Sequence, residues 1–441
     1  MSSVLHRDLR AALPMAVAGR GPYLVDADGR QYIDASGGAM VSSLGHGHPK
    51  VTEAIVAQVR SLEFAHSSFF TNRPAEALAA RLIGLAPHGF SAGRAAFVGS
   101  GSEGMEVALK LARQYHVERG EPGRHIFIAR RQSFHGNTLG ALGVSGHPAR
   151  RAIYEPLLAR PPLVSPCHPY RNRLPGESDE AYTDRLADEL RQAIAGAGEE
   201  RVAAFLVEPI AGATLGSVPP VAGYLRKMRA VCDAAGVLLI ADEVMCGMGR
   251  AGDWFVMAQE GVAPDLIVIA KGLAAGYQPI GAVLASEAIC AAIAAGTGLL
   301  ANGHTYMSHP VACAAALAVI ETIQVEHLLD AVRARGADLA AALRERFGEH
   351  PHVGDIRGRG LFWSLEFVAD RSDDAPFDPA RKLAGRLRDA ARDEGLICYP
   401  APGTVDGRAG DHVTLAPPFI VTPGQIGEIV DKLDRSLAAV L

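Results

Sequence analysis

The chain has 441 residues, 49% of them hydrophobic and 21% charged, with a formal net charge of −5. That length and balance predict a globular protein with a large core, with two domains favoured over one. There is no basic surplus to suit nucleic acid and no like-charge tail to suit a polyanion, so neither partner class is expected.

Residues 1–19 place arginines before a weak Ala-rich run, but Asp8 and Pro14 interrupt it, and a cleaved leader is not expected. Tyr23–Val25 and Gln31–Asp34 flank the turn Asp26-Ala-Asp-Gly29 and predict a hairpin. Residues 35–49 are too rich in Gly and Ser for regular structure, and Pro49 opens an amphipathic helix to about Ser61. From about 74 to 320 two signals alternate. Helices are expected near 75–86, 103–119, 180–197, 221–235 and 309–324. Strands are expected near 95–98, 125–129, 202–207, 236–241, 265–270 and 280–284. Such alternation predicts an α/β fold with a largely parallel sheet. The polar stretch 166–179 reads as a surface excursion.

Residues 288–320 lack Asp, Glu, Lys and Arg, but Gly296-Thr-Gly298, Asn302-Gly-His304 and Ser308-His-Pro310 cut them into pieces too short to cross a bilayer. A soluble protein with no membrane partner is expected. Beyond 325 the pattern becomes α+β. A helix near 326–348 leads to a glycine turn and strand within 353–368, then a helix near 379–394 and a short strand at 396–399. A loop at 400–411 and a last helix near 423–440 complete the chain. The six cysteines, at 167, 232, 246, 290, 313 and 398, form no Cys-x-x-Cys pair and no close His/Cys group. They predict free thiols in a reducing cytoplasm, and no metal centre.

Two features of the apolar runs carry the chemistry. The run 265–270 ends on Lys271, and the run 236–241 ends on Asp242-Glu243, with 29 positions separating the lysine from the aspartate. That is room for one βαβ-type excursion and a return to the neighbouring strand. Continuous Leu/Ile/Val runs read as strands buried on both faces, and ligands of such folds lie beyond their carboxyl ends. An amine able to lose its proton, facing a carboxylate that keeps its charge, suits pyridoxal 5'-phosphate (PLP): the lysine as Schiff-base partner, the acid on the pyridinium nitrogen. Gly99-Ser-Gly-Ser-Glu-Gly104 follows a strand and opens a helix, which reads as a phosphate cradle or as a plain helix cap. No dinucleotide fingerprint accompanies it. Phe134 in Phe134-His-Gly136 could stack on a flat ring or simply pack. Glu208 places a third ionisable group on a strand tip.

Taken in order, Ser100-Gly-Ser-Glu103, Phe134-His135-Gly136, Glu208-Pro209, Asp242-Glu-Val244, Lys271-Gly272 and Thr305-Tyr306 with His309-Pro310 resemble the class III (ω-type) PLP-dependent aminotransferases. The amine and ω-amino acid:pyruvate members are the nearest in kind. The resemblance spans nearly the whole chain. It implies PLP fold type I, an α/β fold with a large domain at 61–324. A smaller α+β domain would be built from 1–60 and 325–441. It also implies a homodimer with shared active sites, or a tetramer. Lys271 would be the Schiff-base lysine and proton shuttle, and Asp242 the partner of the ring nitrogen. Phe134 and Val244 would cover the ring faces. Gly101 and Ser102 would bind phosphate with Thr305 of the partner subunit, and His135 and Gly136 would complete the cofactor site. Glu208 would lie near the phenolic edge or the substrate. Met245 departs from the glutamine or branched residue frequent after Asp-Glu-Val in the family, and it cannot donate to a phenolic oxygen.

The implied reaction moves an amino group from an ω-amino acid or primary amine to pyruvate or 2-oxoglutarate, by ping-pong exchange through pyridoxamine phosphate. The small-molecule amine and keto acid are its partners. Aminomutase, phospho-lyase and decarboxylating chemistry remain alternatives, as does a non-catalytic binding protein of the same fold. Arg408, in a loop where related enzymes carry a carboxylate-switching arginine, reads equally as that switch or as a solvent-exposed side chain. Met40 is expected to face the substrate, at a roomy apolar entrance.

Overall fold

The computed structural model describes residues 3–441, so the first two residues of the stretch read against a leader lie outside the described part. Strand β1 (Ala16–Arg20) precedes the expected hairpin of β2 (Tyr23–Asp26) and β3 (Gln31–Asp34). The Asp26 carboxylate closes the turn by accepting the N–H groups of Asp28 and Arg30. The helix after Pro49 spans Pro49–Ser61, as expected.

The central sheet consists of β4 (Arg94–Val98), β5 (Ile126–Arg130), β6 (Leu163–Val164), β7 (Val202–Val207), β8 (Leu238–Asp242), β9 (Leu266–Ile269) and β10 (Gly281–Ala285). Their spatial order is β4-β10-β9-β8-β7-β5-β6. Only β10 runs against its neighbours, so β4, β5, β7, β8 and β9 all point their carboxyl ends to one rim. The apolar runs are continuous because both faces are covered. Alternate residues go to opposite cores. Phe205, Val207, Leu239 and Ala241 pack under the helices Asp179–Ala197 and Tyr224–Ala234. Ala204, Leu206, Ile240 and Val268 pack under Gly101–Glu118. The aliphatic stretch 310–325 is a buried helix against this body. Among the described residues no single helix is long and apolar enough to cross a membrane.

The remaining strands are β11 (Val353–Arg359), β12 (Phe362–Phe367), β13 (Leu396–Ile397), β14 (Tyr399–Pro402) and β15 (Asp411–Leu415). Four of them form a sheet in the order β11-β12-β15-β14, while β13 pairs in parallel with β3 and ties the two chain ends together.

Three expectations are corrected. The span 353–368 is a hairpin rather than a turn and one strand. The glycine turn lies between the two strands at Gly360, φ +59°, whereas Gly358 serves packing, since a Cβ there would lie 2.2 Å from the Phe362 carbonyl oxygen. The loop at 400–411 is bounded by strands. Pro400 and Pro402 hide β14, an edge strand, where proline is tolerated. The excursion between Asp242 and Lys271 carries one helical turn, Val256–Gln259, and returns to the neighbouring parallel strand, as expected.

The third correction concerns 166–179: its second half, 174–179, is the expected surface excursion, but its first half is not. Cys167 and His168 are buried, Tyr170 bonds Asp374 at 2.7 Å, and Arg171 Nε lies 2.7 Å from Glu366. His168 and Arg171 answer a buried acid rather than solvent. Glu366 is fully buried and also pairs with Arg357 at 2.6 Å and accepts from Thr404 at 2.8 Å. Burial alone would raise the Glu366 carboxyl, but Arg357, with His168 and Arg171, holds it well below the usual carboxylate range. Glu366→Ala should therefore cost about 3–5 kcal/mol in urea unfolding at neutral pH, because it leaves buried cations uncompensated. A depressed acid contributes stability above its unfolded pKa and loses it as pH falls through the folded value, so the gap to the unsubstituted protein should close in acid. A loss under about 1 kcal/mol would show that the network is not a clasp.

Candidate active site

The carboxyl rim of the sheet surrounds a cavity of about 300 Å³, lined by side chains from the ends of β4, β5, β7, β8 and β9. Lys271 follows β9 by two residues and takes the left-handed φ of +45°. A residue with a side chain holds such a conformation at a cost of roughly 1–3 kcal/mol, and only where its surroundings over-determine it. Its Nζ donates to the Ala39 carbonyl at 3.0 Å. Burial pushes the Lys271 ammonium down to about 8; Asp242 opposes the shift, Arg150 adds to it and Glu208 opposes it weakly. The amine thus sheds its proton near neutrality, as a nucleophilic lysine must.

Asp242 ends β8, and strand alternation sends it and Glu243 opposite ways. Glu243 turns inward, accepts the N–H groups of Val256 and Met257, and is pushed up to about 7 by burial. Asp242 faces the cavity, with Oδ2 2.8 Å from His135 Nδ1 and Oδ1 accepting the Val244 N–H at 3.1 Å. An ionised carboxylate only accepts, so His135 carries its proton on Nδ1. His135 is itself buried. This histidine orients the acid.

The loop after β4 is closed reciprocally. Ser100 Oγ accepts the Glu103 N–H, and the Glu103 carboxylate accepts the Gly99 N–H. The N–H groups of Gly101 and Ser102, first in the helix Gly101–Glu118, have no intrahelical acceptor. Ser102 Oγ, also on the cavity wall, takes the Asn137 N–H at 3.0 Å. A Cβ on Gly101 would lie 3.1 Å from the Val244 methyls, and one on Gly136 would lie 2.7 Å from Ser102 Oγ. Both glycines keep the cradle open. Phe134 and Val244 form apolar walls.

The structure therefore brings together Lys271, Asp242, Glu208, Gly101, Ser102, Phe134, His135, Gly136 and Val244. Glu208 has a structural part: its two oxygens accept the N–H groups of Phe134 and Gly212, at 3.1 and 2.7 Å. Three residues stand apart. Met40, with φ +61°, turns into a cluster with Ile210, Cys246 and Phe362, and the expectation that it faces substrate is corrected: Val41 lines the cavity instead. Arg408 is exposed on the loop closed between Gly403 and Gly410, where Asp406 accepts its N–H. Thr305 is exposed and lines no wall of its own chain's cavity. Met245 and Gln278 do line it; no local pattern marks Gln278, which arrives from beyond Lys271. Cys246 is a buried thiol, pushed well above its ordinary value by burial, and does not line the cavity.

The family model for aminotransferase class-III matches residues 6–437. The chain belongs to the class III aminotransferases. An uncharacterized aminotransferase of Schizosaccharomyces pombe is 43% identical, covering 97% of this chain and 93% of its own. The chloroplastic gamma aminobutyrate transaminase 3 of Solanum lycopersicum is 35% identical, over 95% of this chain and 79% of its own. Among solved structures, a PLP-bound amine transaminase from an uncultivated Pseudomonas species superposes with a TM-score of 0.92 at 34% identity, covering 100% of this chain and 99% of that one. This aminotransferase accordingly has PLP fold type I, an α/β fold with a mostly parallel central sheet.

In the cofactor-free aminotransferase, trinitrobenzenesulfonate should modify Lys271 with a midpoint near pH 8, ahead of the surface lysines. Asp242→Asn removes the charge that favours the ammonium and should move that midpoint lower. A midpoint near 10 in both proteins would contradict this account of the site.

Proposed function

We propose that this aminotransferase holds PLP in the cavity and moves an amino group from an ω-amino acid or primary amine to pyruvate or 2-oxoglutarate, in two successive half-reactions. The observation that carries the reading is the placement of Lys271 and Asp242 on adjacent parallel strand ends, across one cavity from an anion cradle. The residues fit the cofactor. Gly101 and Ser102 offer N–H groups at a helix N-terminus for its phosphate, Phe134 and Val244 offer apolar faces for its ring, and Asp242 is a carboxylate held in place by His135. When bound, PLP supplies a carbonyl carbon that takes up an amine and a protonated ring that withdraws electrons.

The chain's own groups do the rest. Asp242, fixed at both oxygens, would hold a proton on the ring nitrogen of the bound cofactor. Lys271, its ammonium pushed down to about 8, would supply the nucleophilic amine and take up the proton released from the substrate carbon. Glu208 holds the Phe134 backbone and borders the substrate side.

Amine and γ-amino acid donors are supported by the similarity to an amine transaminase and to a gamma aminobutyrate transaminase. We further propose a homodimer, with Thr305 of the partner subunit completing the phosphate site. The exposed Phe69, Phe70 and Tyr306 support such a contact. A division into 61–324 and a small domain of 1–60 with 325–441 is supported by the β3–β13 pairing. A reducing cytoplasmic site is supported by the free cysteines.

The test is a donor panel without acceptor. One equivalent of carbonyl product should form per site, and turnover should then resume on adding pyruvate or 2-oxoglutarate. Lys271→Ala should lower the rate of the first half-reaction by about a thousandfold or more. Continuous turnover without any acceptor would contradict amino transfer.

A further inference from the structure

Beside this cavity stands a cation with no anionic partner. Arg150 lies on the helical turn Pro148–Arg151, where its N–H donates to His147 Nδ1. The next residue, Arg151, is spent on structure: it donates to the carbonyls of Leu142, Gly143, Ser145 and Ala159 and pairs with Glu155. Arg150 does none of this. Its guanidinium carbon sits 4.2 Å from the centroid of the Phe134 ring, and no carboxylate among the described residues pairs with it. Phe134 is a wall of the cavity, and the Arg150 charge reaches Lys271, whose ammonium it disfavours.

An incoming carboxylate needs such a charge. The cavity's own carboxylates are Glu208 and Asp242, both repulsive to an acid, and Lys271 is committed to the reacting amine. A guanidinium offers a carboxylate two parallel N–H donors, and stacking on an aromatic face sets the fork in place beforehand. The rival cation, Arg408, is on a loop that rests on the same turn: a Cβ on Gly407 would lie 2.7 Å from Pro148 Cδ. That loop nonetheless leaves Arg408 in solvent.

We propose that Arg150, stacked on Phe134, is the fixed receptor for the substrate carboxylate, and that Arg408 is dispensable for this recognition. The inference rests on the amino-transfer reading above, because it names the part of the substrate that reading leaves open.

The PLP-loaded enzyme and its Arg150→Met, Arg150→Lys and Arg408→Met variants are compared with pyruvate and with benzaldehyde as acceptors. Binding of propionate, which has no reacting carbonyl, is measured by calorimetry. Arg150→Met should lower the pyruvate-to-benzaldehyde preference, and raise the Kd of propionate, by about tenfold or more. Arg150→Lys should restore part of both, and Arg408→Met should change either by less than about threefold. Equal losses for both acceptors in Arg150→Met would assign Arg150 to holding Phe134 and overturn the proposal. A larger propionate or pyruvate effect in Arg408→Met would also overturn it. If the unsubstituted enzyme transferred no amino group to either acceptor, amino transfer itself would fail, while the propionate comparison would still decide the role of Arg150.

Discussion

Two opposite charges, each withdrawn from bulk water on the tips of adjacent parallel strands, are the constraint on which this site depends. Burying either group alone is costly. The cost is met in different ways. His135 and the Val244 N–H occupy the oxygens of Asp242. Lys271 donates to the Ala39 carbonyl, and burial weakens its ammonium. The register that pairs Asp242 with Val268 then puts the acid and the amine across one space. Neither group needs a mobile loop to find the other.

The amino-terminal segment closes one side of that space. Ala39 and Val41 come from the Gly-rich stretch after β3, which β13 anchors from the far end of the chain. The buried Glu366 network joins β11 and β12 to the segment 168–171 beside the large sheet. Left-handed conformations recur here, at Met40, Gln132, Met248, Lys271 and Ala275. Strain of this kind collects where surrounding structure fixes a functional geometry.

How much of this could be read from sequence follows from the range of the forces involved. Lys271, Asp242 and the Gly99–Gly104 cradle were legible because each terminates a buried strand, and a charge there breaks an apolar run. The helices Pro49–Ser61 and Asp179–Ala197 were legible from their periodicity and their starts. What could not be read depends on partners far along the chain. His168 and Arg171 look solvated until Glu366 is placed beside them. Met40 looks like a cavity residue until its positive φ turns it into the core. Arg150 is one of two adjacent arginines that differ only in whether carbonyls surround them. β14 was hidden because its prolines are acceptable only at a sheet edge.

The most direct test of the central pairing is borohydride reduction of the PLP-loaded protein followed by peptide mapping. The account predicts one phosphopyridoxyl label per chain, on the peptide that contains Lys271, and its loss in Asp242→Ala at limiting cofactor. A label on another lysine, such as Lys110 or Lys227, or labelling of Lys271 that is indifferent to residue 242, would contradict it.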